Sequence, residues 1–154
     1  MKILGKNGLG QILKIVIIIG FILAIPTIVF SPFLLNHTSK TIYSMFIIYP
    51  NGLIMLLIIL EFIKLFKSLE DNEPFTLKNV NTLKTTSLFS LIMSILWLLD
   101  LFFMIFVINN RYINYIIVLS FLIILFFGVS VALLILSELL KQATEYKEEN
   151  DLTI

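Results

Sequence analysis

The sequence predicts an all-α fold, an integral membrane four-helix bundle of two antiparallel helical hairpins with both termini cytoplasmic. Three observations predict it. Hydrophobic residues make up 59% of the 154 residues and charged ones only 14%, where a soluble domain carries about 45–50% and about 25%. The charges are nearly absent from four long runs, each close to or above the roughly 20 residues that carry a helix across a bilayer. The links between runs one and two and between runs three and four are short, so each pair reads as a hairpin within one domain over residues 1–154.

The first span covers about residues 11–35. The opening "MKILGKNGLGQILK" puts basic residues before an apolar run, as a signal peptide does. The run from Ile12 to Leu35 is longer than the ~7–15 residues of such peptides, and no A-x-A-like cleavage site follows, so a retained span is expected. Pro26 lacks an N–H and crowds the carbonyl one turn back, which predicts a kink. The second span covers about 42–66, and its "YPNG" (Tyr49 to Gly52) is either a kink or a helix start. The third covers about 85–108 and the fourth about 112–140. "NHTSKT" (Asn36 to Thr41) and "NNR" (Asn109 to Arg111) are the hairpin turns. In hydrocarbon every backbone polar group must be paired within the protein, and a helix does this without leaving an edge.

Orientation follows from the basic residues. The amino terminus, the middle loop over 67–84 and the tail over 141–154, with their flanking helix ends, carry Lys2, Lys6, Lys14, Lys64, Lys67, Lys78, Lys84, Lys141 and Lys147. The two opposite turns carry only Lys40 and Arg111. Lys and Arg concentrate on the cytoplasmic side, so both termini and the middle loop are expected there, in a bacterial cytoplasmic membrane.

The inner face has its own motifs. "LEFIK" and "SELLK" set Glu61 three residues before Lys64 and Glu138 three before Lys141, a spacing that shares one helix face. "EPFTL" and "NDLTI" match at the same offset of 77 residues. Two hairpins related by an axis along the membrane normal would produce this. So would the tendency of any inner helix end to collect Glu and Lys. In "PFTLKNVNTLK", Pro74 and Phe75 precede Thr76, the expected N-cap, with Phe75 and Val80 at staple spacing. Asn79 stands where a capping box has Glu or Gln. The segment is expected either to rest on the lipid surface or to dock a cytoplasmic partner.

Asp100 is a carboxylate in "SILWLLDLFFMIF", where eleven of the other twelve residues are apolar. At 1.5 Å per residue it lies about 13 Å below the outer end of its span. Asn51 and Ser120 fall at about the same depth. A polar layer of Asp100, Asn51 and Ser120 is therefore expected, either as a structural contact that fixes helix register or as a proton or ligand site. Small residues four apart, Gly20 with Ala24, Ser90 with Ser94 and Gly128 with Ala132, mark close-packing faces. Spans one and four could meet through them and close the bundle, or the same faces could pair two copies of the chain.

Several chemistries are excluded. The chain has no cysteine, hence no disulfide, thiolate nucleophile or thiolate metal site. The single His37 reads as a loop residue at the membrane surface, not a metal ligand. No phosphate loop, H-E-x-x-H or G-x-S-x-G motif is present. No enzyme, cofactor or direct nucleic-acid contact is expected, and the net charge of +1 offers no basic surface.

The middle loop "KSLEDNEPFTLKNVNTLK" and the end "ELLKQATEYKEENDLTI" resemble the YoaS-like bacterial membrane proteins, a four-helix family of unknown function. The resemblance covers nearly the whole chain and is most specific at the tail. It implies a partner, because genes of this family are often found beside one for a small helix-turn-helix regulator. The acidic tail, with Asp151 and the apolar Leu152 and Ile154, suits a groove on such a regulator or the PFT loop of its own chain. The leading expectation is a regulatory or sensory membrane protein with a cytoplasmic interaction surface over Pro74–Lys84 and Glu145–Ile154. The alternatives are a small transporter or ligand-responsive bundle using Asp100, and a structural subunit of a membrane complex.

Overall fold

The computed structural model describes residues 9–34, 40–70, 74–106 and 113–152. They form four helices: α1 (Leu9–Leu34), α2 (Lys40–Glu70), α3 (Leu77–Phe106) and α4 (Ile113–Leu152). His37, the Asn109–Arg111 turn, residues 36–39 of the other turn, and Ile154 lie outside the described residues; Asp151 and Leu152 are described by their backbone alone. α1 runs through Pro26 and α2 through Pro50. The "YPNG" stretch therefore does not open a helix, since α2 already begins at Lys40.

The helices overrun the expected apolar spans at the lysine-rich end. No separate surface helix precedes span three, because residues 77–84 are the first two turns of α3 itself. α4 continues beyond Lys141 to Leu152, so this part of the tail is helical and not a mobile peptide. Thr76 caps α3 as expected: its Oγ1 accepts the Asn79 N–H at 3.3 Å, a contact that contributes about 1 kcal/mol.

The interior is more polar than the surface. Among the described residues, eleven polar side chains are buried against seven apolar ones, while Phe106, Ile124 and Phe121 are more than half exposed. The accessible surface is 10900 Å², whereas a compact soluble protein of this mass shows about 7,900 Å². α3 and the Ile113–Asn150 part of α4 are long and apolar enough to cross a membrane, and only 22% and 17% of their apolar windows are buried. A core helix of a soluble protein would be mostly buried. Lys14–Phe30 is a shorter apolar stretch.

α3 and α4 share the most extensive interface, α2 packs on α3, and α1 packs on α2. Among the described residues nothing joins α1 to α4. The expected closure through Gly20/Ala24 and Gly128/Ala132 is not made, since a Cβ at Gly20 or Gly128 would meet nothing within 4 Å. The reason lies in which face of α4 is taken. Its buried positions are Leu119, Ser130, Leu133, Ser137 and Thr144, and this stripe passes beside Gly128 and Ala132 without including them. Ser130, Ser137 and Thr144 recur every seven residues, as Val80, Ser87 and Ser94 do on α3. A strict seven-residue period keeps one seam facing one partner as two helices coil.

Hydrogen bonds lock that seam. Ser87 Oγ donates to the Ser130 carbonyl at 2.8 Å, and Ser130 Oγ donates back to the Ser87 carbonyl at 2.9 Å. One heptad toward the Phe106 end of α3, Ser94 Oγ donates to the Ile123 carbonyl at 3.1 Å. Small side chains let the backbones approach, and the hydroxyls then find acceptors on the neighbouring helix. Replacing Ser130 with Leu should destabilise the hairpin by roughly 1–3 kcal/mol through overpacking. Ser130→Ala should cost about 0.6–1.7 kcal/mol. Thermal melts in detergent, with the exposed Ile124→Ala as reference, check both.

Candidate functional site

Two places carry the residues singled out by the sequence. One is the buried polar contact within the apolar part of α2 and α3. The other is the lysine-rich end, where α2, α3 and α4 pass out of their apolar stretches.

At the first, Asn51 and Asp100 are 6% and 7% exposed, and Asn51 Nδ2 donates to Asp100 Oδ2 at 2.9 Å. Two of the three expected layer residues are thus joined. Ser120 is half-buried and not bonded to them. The register that pairs Ser87 with Ser130 and Ser94 with Ile123 sets Ser120 level with Trp97, about one turn from Asp100. Counting depth from guessed span ends could not reveal an offset of this size. The "PNG" triplet accounts for the geometry. Pro50 withholds one N–H from the α2 ladder. Asn51 turns to α3. Gly52 faces α1, where a Cβ would come within 2.8 Å of the Ile28 side chain. Consecutive residues of α2 therefore engage the helices on either side, and glycine is required by the close approach of α1.

At the lysine-rich end, both expected Glu–Lys pairs form. Lys64 donates to Glu61, and Lys141 lies 4.0 Å from Glu138 and 3.6 Å from Glu145. Lys141 and its two carboxylate partners are each 41% exposed or more, so these pairs contribute little stability. Their likeness does not extend to the segments beyond them. Pro74–Thr76 is a turn outside any helix, whereas Asn150, Asp151 and Leu152 are the end of α4.

The residue that organises this end is Asn79, 2% exposed. Its side-chain amide donates to the Pro74 carbonyl at 2.9 Å and to Ser68 Oγ on α2 at 2.8 Å. It fills the position of the missing capping-box acid and ties the α2 exit to the α3 start. Phe75, 45% exposed, lines a shallow depression with Ala143, Tyr146, Lys147 and Asn150 of α4. The Pro-Phe-Thr turn and the tail therefore form one surface, with Leu77 and Tyr146 also exposed. Sequence inspection missed the bonding roles of Asn79, Ser87 and Ser130. The heptad spacing of the hydroxyl residues was the available signal for the two serines. Among the described residues, no group of three or more His, Asp or Glu side chains could hold a metal ion.

Among the described residues these features define an all-helical arrangement of four helices, two of them long and apolar enough to span a membrane. The chain belongs to the family described as protein of unknown function DUF2975, whose model matches residues 16–154. No curated protein and no solved structure matches it.

Asn51→Leu leaves the Asp100 carboxyl without its amide donor and should destabilise the protein by about 1–3 kcal/mol. The double replacement Asn51→Leu/Asp100→Leu should restore most of that loss, because both polar partners leave together. Melting temperatures of the two single variants and the double variant decide it. Asn79→Ala should free the α2–α3 turn at a cost of about 1–2 kcal/mol, read as faster proteolytic cleavage after Glu73.

Proposed function

We propose that this protein is a non-enzymatic regulatory or sensory protein of the bacterial cytoplasmic membrane. The chain crosses the bilayer four times, with both termini and the middle loop inside. Its cytoplasmic face binds a small helix-turn-helix transcription regulator and holds it at the membrane, without itself touching nucleic acid. The nine-to-two division of basic residues supports this threading. Kinship with the YoaS-like proteins is part of the same proposal.

The observation that carries it is the paired overrun of α3 and α4. Eleven residues of α4 follow Lys141 as helix, with Thr144 only 2% exposed. Phe75, Leu77 and Tyr146 stand exposed on this helical end, away from the apolar spans. Aromatic side chains on a preformed surface are effective anchors for a partner. Glu148 and Glu149 lie beside them and are repelled by anionic lipid, which favours a platform free of the membrane. A basic regulator complements that charge.

A second reading, a small transporter or ligand-responsive bundle, draws support from the buried Asp100 with its Asn51 donor. It expects Asp100→Asn to abolish a flux or resistance phenotype while expression is retained. In the leading reading, Phe75→Ala/Tyr146→Ala, or removal of Asn150–Ile154, should release the neighbouring regulator from the membrane fraction. Unchanged co-fractionation of the regulator with both variants would refute it.

A further inference from the structure

Six of the eight buried hydroxyl residues in α3 and α4 are bonded in one of two ways. Thr86, Ser137 and Thr144 donate to carbonyls of their own helices. Ser87, Ser94 and Ser130 donate across the α3–α4 seam. Ser90 does neither: it is 0% exposed, and its Oγ has no hydrogen-bond partner. Two turns further along, the indole Nε1 of Trp97 is also buried and without a partner. Each such group costs several kcal/mol in an apolar medium.

The two groups lie on one line. Asn79 and Asp100 both bond to α2, so they mark the side of α3 that faces it. Thr82, Thr86, Ser90, Met93, Trp97 and Asp100 follow each other at steps of three and four residues, which keeps them on that side. All are buried except Trp97, which is half-buried. On this side Thr86 is bonded to its own helix and Asp100 to Asn51, which leaves Ser90 and Trp97 as the groups that call for something polar against them. Ser90 and Trp97 are about 10.5 Å apart along the axis, the reach of about three hydrogen-bonded water molecules, and Asp100 lies about 4.5 Å beyond Trp97.

We propose that the α2 side of α3 binds a file of water between Ser90 and the Asn51–Asp100 pair. Ser90 Oγ and Trp97 Nε1 donate to it, and Met93 lies between them. Buried water settles where several otherwise unpaired polar groups converge, and here the donors recur along one helix face. The file brings water to the Asp100 carboxyl, which is 7% exposed. This inference rests on the membrane placement proposed above and is independent of the regulator.

X-ray radiolysis of the full-length protein in lipid nanodiscs tests it, because hydroxyl radicals form from water and oxidise side chains beside it. Met93, 3% exposed, and lipid-facing Met55, 38% exposed, have the same intrinsic reactivity. Met93 and Trp97 are expected to oxidise several-fold faster than Met55, and Ser90→Ala is expected to slow Met93 without altering Met55. If Met93 and Trp97 oxidise no faster than a slow Met55, the water site is refuted and the membrane placement stands. If all three oxidise rapidly and alike, the membrane placement fails and takes the site with it. The comparison within the native chain needs no variant, so a folding defect in Ser90→Ala leaves the test intact.

Discussion

The reciprocal bonds between Ser87 and Ser130 set the frame for the rest of the molecule. In an apolar solvent, burying more hydrocarbon gains two helices almost nothing. What holds them is close backbone approach and the need of each polar group for a partner. Serine meets both needs, since it is small and its hydroxyl reaches a carbonyl on the neighbouring helix. Once Ser87 lies opposite Ser130, the seven-residue period sets Ser94 against Ile123 and brings Ser137 level with Val80. The same register carries Phe75 alongside Ala143 and Tyr146. A contact near the middle of the hairpin thereby decides the shape of its far end.

α3 is the axis of the fold for the same reason. It meets α4 through serines and α2 through Asn79 at one end and Asp100 at the other. Its buried face holds eight polar residues and four apolar ones, Val80, Leu83, Met93 and Met104, if half-buried Trp97 is counted with the polar side. Among the described residues α1 reaches only α2, where Ile28 sits over Gly52. The helices are thus joined in a series, each to its neighbour in sequence, and large apolar faces of α1 and α4 remain uncovered. Such a row is stable where the surroundings are themselves apolar.

The two sites differ in what they can do. The Asn51–Asp100 pair is enclosed, and its amide-to-carboxyl bond fixes how α2 lies on α3. The lysine-rich end is open: Asn79 holds the turn, and Phe75, Leu77 and Tyr146 are exposed there. A surface of that kind suits recognition of another protein more than chemistry on a small molecule.

Composition and the exclusion of charge from long runs were enough to reveal an all-helical chain with helices able to cross a membrane, because solvent preference acts on each residue type by itself. Local chemistry was equally legible. Thr76 caps α3, and Glu61–Lys64 and Glu138–Lys141 pair, since all the atoms involved lie within one turn of helix. The joining of Asn51 to Asp100 was half legible: depth counting placed both at one level but also admitted Ser120, which the register of α4 carries to Trp97. Only the tertiary structure decided the register, the serial packing and the double role of Asn79. These depend on how two helices rotate about their own axes, and a difference of one residue, or about 100°, turns a different face to the neighbour. Hydropathy averaged over a span does not sense that rotation. The hydrogen bonds of a few buried serines do.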